Sequence, residues 1–600
     1  MFELCVVLVA GSWTETTPQD FLDGWYDDLL YVSRRLQKEG TNPTDSGAVE
    51  FYPRFDANRD GYYDLTTADD HGPRVRLWFG SSTGYRLSNT RDFPSSYGAN
   101  CDMADINLDG WPELIHSGYQ TGNCRIYWGS QAAGGPDPNN YTSLPNGLGE
   151  AVFVYDLDKD TYLDIIIGGN DWSVKVYWGG PGGYSSGNVS SRSFSSYLVH
   201  NFEVADLNKD RYPDIVLLTG FDQGAICIIW GDGDRDLSNN QIWQDAIGRE
   251  PHGLTLADLN RDGWLDIAVG CIFYVSISRI YWSDNGNFSS ANKTLLNTNQ
   301  CYGGPAAWDV NWDGWLDLVF FRGFTSPSRL LLWLNSGTPP YFRETDTVRF
   351  GIEDYYTGGF VYDFNRDGKM DVFANGGDTT SYVYWGVTST GSRDSVQRLR
   401  VTMDHHGGFR ECGNVYDRSS MAWYESGIFS SADLQATATI SWVAWDSTQI
   451  GSELRMYIRT RLDGSSPWSS WRQVFNGETV SEAPYFPARD IQYRAEFRWQ
   501  NPAWLPWLER VNLTTSSSLY ESTDESSSGS GALRFGSSKS LVWVSWPGKD
   551  GRVSLYSADG RRIGSRDLVN GRAEFRGLGP GVYYLWIEST ESTLRKVLVR

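Results

Sequence analysis

The sequence predicts an all-β protein: a seven-bladed β-propeller followed by a β-sandwich and a small immunoglobulin-like C-terminal β-sandwich. A nine-residue pattern, Asp-x-Asn-x-Asp-Gly-x-x-Asp, recurs seven times at intervals of 49 to 54 residues. Short apolar runs flank every copy, and the period stops near residue 398, after which apolar and polar residues alternate. A fixed period of this size indicates one structural unit copied along the chain.

Each unit contains four short apolar segments around its acidic loop. One run precedes the loop, a second follows it, and a third ends in an aromatic pair, as in Val176–Gly179. A weaker fourth segment follows a glycine-rich turn. Four short strands in about fifty residues, with Gly and aromatics at fixed places, predict a propeller blade. The first blade can begin with Ala48 to Phe55, so we expect seven complete blades.

The loops carry hard oxygen ligands. In the fifth copy, Asp258, Asn260 and Asp262 supply side-chain oxygens, Gly263 permits a sharp turn, and position seven offers a backbone carbonyl. This set suits calcium, which takes six to eight oxygens. The loop is not an EF-hand, because position twelve is Val269 and no helix follows. The absence of His and Cys from the loops argues against zinc and copper.

The pattern therefore predicts up to seven Ca²⁺ ions, one per blade, each held by positions one, three, five, seven and nine. The predicted ligand residues are Asp56, Asn58, Asp60, Tyr62 and Asp64; Asp105, Asn107, Asp109, Trp111 and Glu113; Asp156, Asp158, Asp160, Tyr162 and Asp164; Asp206, Asn208, Asp210, Tyr212 and Asp214; Asp258, Asn260, Asp262, Trp264 and Asp266; Asp309, Asn311, Asp313, Trp315 and Asp317; and Asp363, Asn365, Asp367, Lys369 and Asp371.

Three loops depart from the pattern. The second ends in Glu113, and the third and fourth have Thr161 and Arg211 in place of Gly. We expect weaker binding or altered geometry there. The alternative is that all seven are Asx-rich turns whose carboxylates cap backbone amides. Seven copies in register favour the metal, because clustered acids repel one another and a bound dication removes that cost.

The loop followed by a short apolar strand resembles the FG-GAP/VCBS repeat family, which includes integrin-alpha-like propellers and many secreted bacterial proteins. The resemblance covers residues 45–398. It implies a seven-bladed propeller with calcium in the loop between the first and second strands of each blade. Residues such as Trp128 and Trp178 recur once per blade. They suit either a sugar-binding face or the core between blades, and their fixed place in the repeat favours the core.

The charge and composition of the chain limit the classes of function it can have. The net charge of −23 argues against nucleic-acid binding, which requires basic patches. The sequence has no run of 18 apolar residues, so it predicts no transmembrane helix. Among the seven cysteines, Cys101 with Cys124 and Cys271 with Cys301 are candidate disulfides.

The segments outside the repeat divide the remaining chain. Residues 1–12 resemble the end of a secretory leader that lacks its basic region, with a buried strand as the alternative. Residues 17–44 begin with a capped-helix signature at Thr17–Asp20 and are predicted to be a helical extension. Residues 399–513 alternate as in a β-sandwich. Residues 514–531 are rich in Ser and predict a flexible linker. We find no catalytic set outside the loops, and the adjacent His405 and His406 are interpreted as surface residues.

Residues 541–600 carry ten Lys or Arg and six Asp or Glu, which reverses the charge of the rest of the chain. Their order of motifs is Leu-Tyr-x-x-x-Gly-Arg from Leu555, Gly-Leu-x-Pro-Gly-Val-Tyr from Gly577, and a terminal Lys596–Val599. This order resembles the C-terminal sorting domain of type IX secretion cargo. The resemblance implies passage through the periplasm to the outer surface or medium, with the type IX machinery as a partner.

The sequence thus predicts a secreted or cell-surface calcium-binding propeller scaffold for adhesion or for glycan or protein binding, and not an enzyme. A secreted polysaccharide lyase or hydrolase and a structural surface-layer component are the alternatives. An enzyme would need acids outside the metal loops that converge in one cleft.

Overall fold

The structure is a computed structural model of the 600-residue chain. It describes residues 10–599 except 27–29, 37–44, 52–53, 55, 69–71, 96–97, 119–123, 145–148, 170, 195–198, 220–223, 246, 248–252, 272–275, 324–327, 377–379, 402–413, 447–450, 501–504, 517–533, 539–540, 546–550, 558–561, 571, 577–580 and 589–592. The described part is almost entirely β-structure, as predicted. None of its helices is long and apolar enough to cross a membrane.

The N-terminal segment is mostly strand. Its elements are β1 (Ala10–Glu15), α1 (Pro18–Phe21), β2 (Trp25–Tyr26), β3 (Leu30–Leu36) and β4 (Asp45–Phe51). The predicted helical extension over 17–44 is therefore wrong at Trp25–Tyr26 and Leu30–Leu36, which are strands. The capping box of Thr17 and Asp20 does start a helix, but residues 30–36 pair along their whole length with β4. Burial of Phe21 and Leu30 in a sheet core, rather than helical periodicity, explains the apolar spacing.

Seven antiparallel sheets form the propeller. Blade 1 contains β5 to β7, and blades 2 to 7 each contain the next four strands in chain order. The strands are β5 Leu65–Ala68, β6 Arg74–Trp78, β7 Thr90–Pro94, β8 Gly98–Ala104, β9 Glu113–Gly118, β10 Arg125–Ser130, β11 Gly135–Ser143, β12 Ala151–Tyr155, β13 Asp164–Gly168, β14 Ser173–Tyr177, β15 Val189–Ser193, β16 Val199–Ala205, β17 Asp214–Thr219, β18 Ala225–Ile229, β19 Asn240–Gln244, β20 Leu254–Ala257, β21 Asp266–Val269, β22 Ile277–Tyr281, β23 Lys293–Asn297, β24 Cys301–Trp308, β25 Asp317–Arg322, β26 Ser328–Asn335, β27 Phe342–Asp354, β28 Tyr356–Tyr362, β29 Asp371–Gly376, β30 Thr380–Trp385 and β31 Ser395–Arg400.

Blade 1 differs from the prediction of seven complete blades. In the described residues its sheet has three strands. The segment expected to complete it is β4, which pairs instead with β3 and with a strand near residue 508. Ala48 and Val49 are fully buried in that position. The apolar run that looks like a blade strand thus belongs to a different sheet.

The first and seventh blades pack together and close the ring. Tyr63, Leu65 and Trp78 share one core cluster with Phe373 and Trp385. The recurrent Trp128 and Trp178 pack in the core between blades, as their fixed place in the repeat predicts. Trp178 is buried in a cluster that spans blades 2 to 4, and its Nε1 donates to the Ser190 hydroxyl at 2.8 Å.

After the propeller, the chain forms further strands in the two sheets that contain β1 to β4. The strands are β32 Met421–Glu425, β33 Phe429–Gln435, β34 Thr437–Trp445, β35 Ser452–Arg461, β36 Arg472–Val474, β37 Glu478–Val480, β38 Ala488–Trp499 and β39 Trp507–Ser516. One sheet runs β3-β4-β39-β34-β37 with β1 beside β39; the other runs β2-β32-β38-β35-β36 with β33 beside β38. The sandwich is therefore discontinuous, and the propeller is an insertion between β4 and β32.

Two predicted boundaries shift as a result. Residues 10–12 of the candidate leader lie in β1, paired with β39, while residues 1–9 lie outside the described residues. Residues 514–516 of the predicted linker belong to β39, and residues 517–531 are likewise not described. Since Ala10 pairs with Ser516, the start of β1 and the end of β39 lie side by side in one sheet. The adjacent His405 and His406 fall outside the described residues.

The C-terminal segment forms two further sheets, β40-β41-β44 and β43-β42-β45-β46. Their strands are β40 Arg534–Ser538, β41 Leu541–Ser545, β42 Arg552–Ser557, β43 Arg562–Asp567, β44 Arg572–Arg576, β45 Gly581–Glu588 and β46 Thr593–Val599.

The candidate disulfides do not form. Cys101, Cys124, Cys271 and Cys301 are buried and are not joined in disulfides. Their sulfurs face other groups: Cys124 Sγ accepts from the Gly118 amide at 3.2 Å, and Cys271 Sγ lies 3.1 Å from a guanidinium nitrogen of Arg279.

Candidate metal sites

The seven loops share one backbone conformation. Counting from the first Asp, positions four and six are left-handed in every loop. At position six, φ is 93° at Gly61 and 87° at Gly263, and the non-glycine residues Thr161 and Arg211 adopt 76° and 87°. The third and fourth loops therefore keep the backbone conformation of the glycine-containing loops. These residues accept a conformation that costs an L-residue about 1–2 kcal/mol, and weaker binding at these loops stays a prediction.

The side-chain oxygens turn inward by the same hydrogen bonds each time. In the fifth loop, Asp258 accepts from the amides of Asp262 at 3.1 Å and Gly263 at 2.9 Å. Asn260 Oδ1 accepts from the Asp262 amide, and Asp262 Oδ1 accepts from the Trp264 amide. The hydrogen bonds from backbone amides to Asp and Asn side chains that the Asx-turn alternative predicts are thus present. They orient the oxygens of positions one, three and five and leave lone pairs available on each.

The ninth-position acid anchors the loop to its blade. Asp317 accepts from the Val310 amide at 3.0 Å and from the Asn335 amide, at the end of the third strand, at 2.7 Å. The same two kinds of contact recur at all seven loops, including at Glu113, whose longer side chain reaches the Ile106 and Gly129 amides. The ninth-position acid, at the start of the second strand, therefore connects the loop to the end of the third strand.

Burial makes these acids costly to ionise. It raises the pKa of Asp56 and Asp317 to about 7, of Asp214 and Asp371 to about 8, and of Glu113 to about 9. Neighbouring acids of the same loop push each pKa further up. The pKa is raised well above its ordinary value, for the same reasons, at Asp64, Asp156, Asp164 and Asp266.

These residues fit a calcium ion. Oxygens of Asp156, Asp158 and Asp164 lie within 4.8 Å of one another, which is the spread expected of ligands about 2.3–2.6 Å from a common centre. Among the described residues this spacing is met in the third loop, whose donors are hard oxygens and whose Asp156 and Asp164 are buried. A dication at the centre would supply the positive charge that such a cluster lacks.

Position-four cations connect neighbouring loops. Arg59 of the first loop donates to the Gly110 carbonyl of the second at 2.7 Å and lies over the Trp111 ring. Lys209 makes the same contacts with Gly263 and Trp264 in the fifth loop. Position seven of one loop is thereby held by position four of the preceding loop.

Two further links use the same arrangement. Arg261 of the fifth loop lies over Trp315 of the sixth, and Arg366 of the seventh lies over Tyr62 of the first. The last link crosses the closure of the ring. Leu108 and Trp312 occupy position four in the second and sixth loops, and the Trp312 side chain is 67% exposed.

The third to fifth loops contact the sandwich. Lys159 Nζ lies 4.3 Å from the centre of the Tyr26 ring, and the Asp258 amide donates to the Tyr416 carbonyl at 3.1 Å. Arg418 is 6% exposed and donates to the Thr255 hydroxyl at 2.9 Å. Burial lowers the pKa of Lys159 to about 8. The end of the propeller that carries the metal loops is thus partly covered by the second domain.

An arginine–tryptophan stack crosses the outer face of the sandwich. Each guanidinium lies 4.3–4.8 Å from the centre of an adjacent indole ring, and Glu425 pairs with two of the cations. The stack runs in the order Arg461, Trp468, Arg459, Trp471, Arg494 and Trp423. This stack was not predicted from the sequence, although arginines at alternate positions of β35 indicate that they lie on one face of the strand.

Comparison with known proteins identifies the repeat. Residues 156–217, 206–269 and 309–374 match the FG-GAP-like repeat. The chain is also 23% identical over 236 residues to integrin alpha-3 of Mus musculus, an alignment that covers 33% of this chain and 22% of the integrin. The chain therefore contains FG-GAP-like repeats, and it spans about a fifth of that relative's length.

Two solved structures share partial likeness. Sqt1 of Saccharomyces cerevisiae has a TM-score of 0.37 at 14% identity, covering 57% of this chain and 88% of Sqt1. BBS1N, solved in complex with ARL6DN, has a TM-score of 0.35 at 12% identity, covering 55% of this chain and 89% of BBS1N.

Proposed function

We propose that this protein is a secreted or cell-surface binding scaffold, used in adhesion, whose propeller is stabilised by calcium. The observation that carries the proposal is the sevenfold repetition of one loop with the same turn geometry and a buried acid at position nine. The FG-GAP-like repeats and the similarity to an integrin alpha chain support a binding role. The ligand is a glycan or a protein.

Calcium would act as a structural ion. Bound at positions one, three, five, seven and nine, it would neutralise the clustered acids. The protein's own part is to hold the ligand oxygens inward by amide contacts, as at Asp258, and to fix the loop to its blade through the ninth-position acid, as at Asp317. Because position-four cations connect successive loops, ordering one loop would also order its neighbour.

A binding screen with and without calcium tests the role. The full-length protein is applied to a glycan array and to immobilised extracellular matrix proteins, in calcium and in EDTA. We expect saturable binding that EDTA abolishes, and a similar loss in Asp258→Ala. Failure to bind on either surface would contradict the adhesion proposal. Oligosaccharides released from polysaccharide substrates in parallel would favour the enzyme alternative.

We further propose that residues 541–600 address the protein for export by the type IX machinery. The charge reversal and the order of the motifs from Leu555 to Val599 support this proposal. In the native host, a chain truncated after Gly531 should stay in the periplasm, whereas the full chain reaches the surface or the medium. Export of the truncated chain would overturn the sorting assignment.

A further inference from the structure

The third loop lacks a contact that the other six share. In those six, position three is Asn, and its Nδ2 donates to Oδ2 of the position-five Asp at 2.9–3.3 Å. In the third loop, position three is Asp158. A carboxylate has no N–H to donate, so it cannot make this bond to Asp160. It also adds a negative charge beside Asp156 and Asp164.

A guanidinium from the next blade takes the place of the missing amide. Arg235 lies in the turn between β18 and β19 of blade 4. Its Nε donates to Asp158 Oδ2 at 2.5 Å, and its Nη2 donates to Asp160 Oδ2 at 2.8 Å. The two carboxylates that would repel each other are therefore bridged by one planar cation. The Asp158 side chain is only 7% exposed, which strengthens the pairing.

The bridge also offsets an extra charge. Six loops carry three acids at positions one, five and nine, and the third carries a fourth acid at position three. The guanidinium of Arg235 pairs with that fourth acid.

Blade 3 holds this guanidinium in place. Arg235 lies 5.0 Å from the centre of the Trp178 ring, and its Nη1 donates to Asn188 Oδ1 at 3.3 Å. Its backbone carbonyl accepts from the Ser190 hydroxyl. The side chain is thus held by Trp178 and Asn188, and its backbone by Ser190, all outside the loop, so the contact does not depend on a single surface pair.

We propose that Arg235 is the positioning residue of the third calcium loop: it performs from the neighbouring blade the task that Asn performs within the other loops. By binding the outer oxygens of Asp158 and Asp160, it leaves their inner oxygens directed at the ion. The inference rests on the proposed calcium function for its metal readout, but the bridge itself is testable in metal-free protein.

A double-mutant cycle tests it. Arg235→Gln should remove the bridge and lower calcium affinity at the third loop by about tenfold or more, the usual effect of losing a residue that orients ligands. Asp158→Asn should rescue it, because an amide at 158 can donate to Asp160 and removes the extra charge. Calcium bound at a series of free concentrations is measured by equilibrium dialysis, and unfolding in EDTA is measured by chemical denaturation. Arg86→Gln, an exposed arginine of blade 1, is the control.

The expected result is that Arg235→Gln loses about one calcium at limiting free concentration and is destabilised in EDTA, while the double variant recovers both. Additive effects without rescue would overturn the inference, and so would an extra calcium bound by Arg235→Gln, since Arg235 would then occupy the site in place of the metal. If no variant binds calcium, the proposed calcium function fails. The EDTA cycle then decides whether the bridge exists.

Discussion

Arg211 donates from Nη1 to the carbonyl oxygen of Asp23 at 2.8 Å. Arg211 occupies the sixth position of the fourth loop, where five loops have Gly, and it keeps a φ of 87° there. Asp23 lies just after α1, in the segment that belongs to the sandwich. The residue that departs from the repeat is thus one that connects the two domains.

Replacing Arg211 by Asn should loosen that connection without disturbing the loop. Asn tolerates a left-handed backbone but cannot reach the Asp23 carbonyl. We expect faster amide exchange in a peptide covering residues 18–26, measured by hydrogen–deuterium exchange and mass spectrometry. Exchange in β35, which two strands separate from β2 in the same sheet, should be unchanged and serves as the internal control. Unaltered exchange over 18–26 would show that the contact does not hold the domains together.

Gly368 should be needed for its backbone conformation alone. Its φ is 81°, and a Cβ placed there would meet no atom within 4 Å. Gly368→Ala should therefore lower the free energy of unfolding by about 1 kcal/mol through left-handed strain. Gly180 is the matched control: a Cβ there is equally free, and its φ is not positive. Gly180→Ala should be neutral or slightly stabilising. Equal effects in urea denaturation would contradict the assigned role of position six.

Arg418 should contribute strongly to the joint between propeller and sandwich. Besides Thr255, it donates to the carbonyls of Leu256 at 2.6 Å and Val415 at 2.7 Å. Arg418→Met would remove these hydrogen bonds from a buried joint and should cost about 3 kcal/mol. Chemical denaturation measures the loss. Arg400→Met, at an exposed position at the end of β31, is the control and should change stability by less than about 0.5 kcal/mol. Similar behaviour of the two variants would contradict the assignment.

His116 should make the propeller less stable in mild acid. It is fully buried, and burial lowers its pKa from 6.5 to about 4. The folded state therefore keeps the imidazole neutral while the unfolded chain takes up a proton below pH 6.5. Its stabilisation is complete above pH 6.5 and is lost as the pH falls towards 4, by up to about 3 kcal/mol.

The variant His116→Gln isolates this effect from the acids that titrate in the same range. The stability difference between wild type and variant should shrink from pH 7 to pH 4 in urea denaturation. A difference that stays constant with pH would show that His116 does not titrate as its burial requires.

The loops were predictable because their geometry is local. The spacing of Asp, Asn and Gly encodes a turn whose contacts at positions one to seven lie within the nine residues, so the alternation of ligand and turn positions is visible in the sequence. The blades follow from repetition of that unit. Strands such as β13 and β21 have apolar sequences of the right length beside each loop, and their partners are their neighbours in the chain.

The discontinuous sandwich was not predictable in this way. The partner of Val49 is Leu508, and the partner of Trp13 is Leu513. Nothing in the sequence near β4 distinguishes a blade strand from a sandwich strand, because both are short and apolar. The role of Arg235 had one signal, the extra acid at Asp158, which calls for a cation. Which cation lies beside it depends on how blade 4 packs against blade 3.

Removal of calcium tests the central claim most directly. The full-length protein is melted in calcium, after EDTA treatment, and after readdition of calcium or of magnesium, with bound metal determined by elemental analysis. Binding to the folded state alone stabilises it by about 2.7 kcal/mol per independent site at a hundredfold excess over the dissociation constant. We predict a sharply lower melting temperature in EDTA that calcium restores and magnesium does not. An unchanged melting temperature, with no calcium found in the protein, would contradict the account.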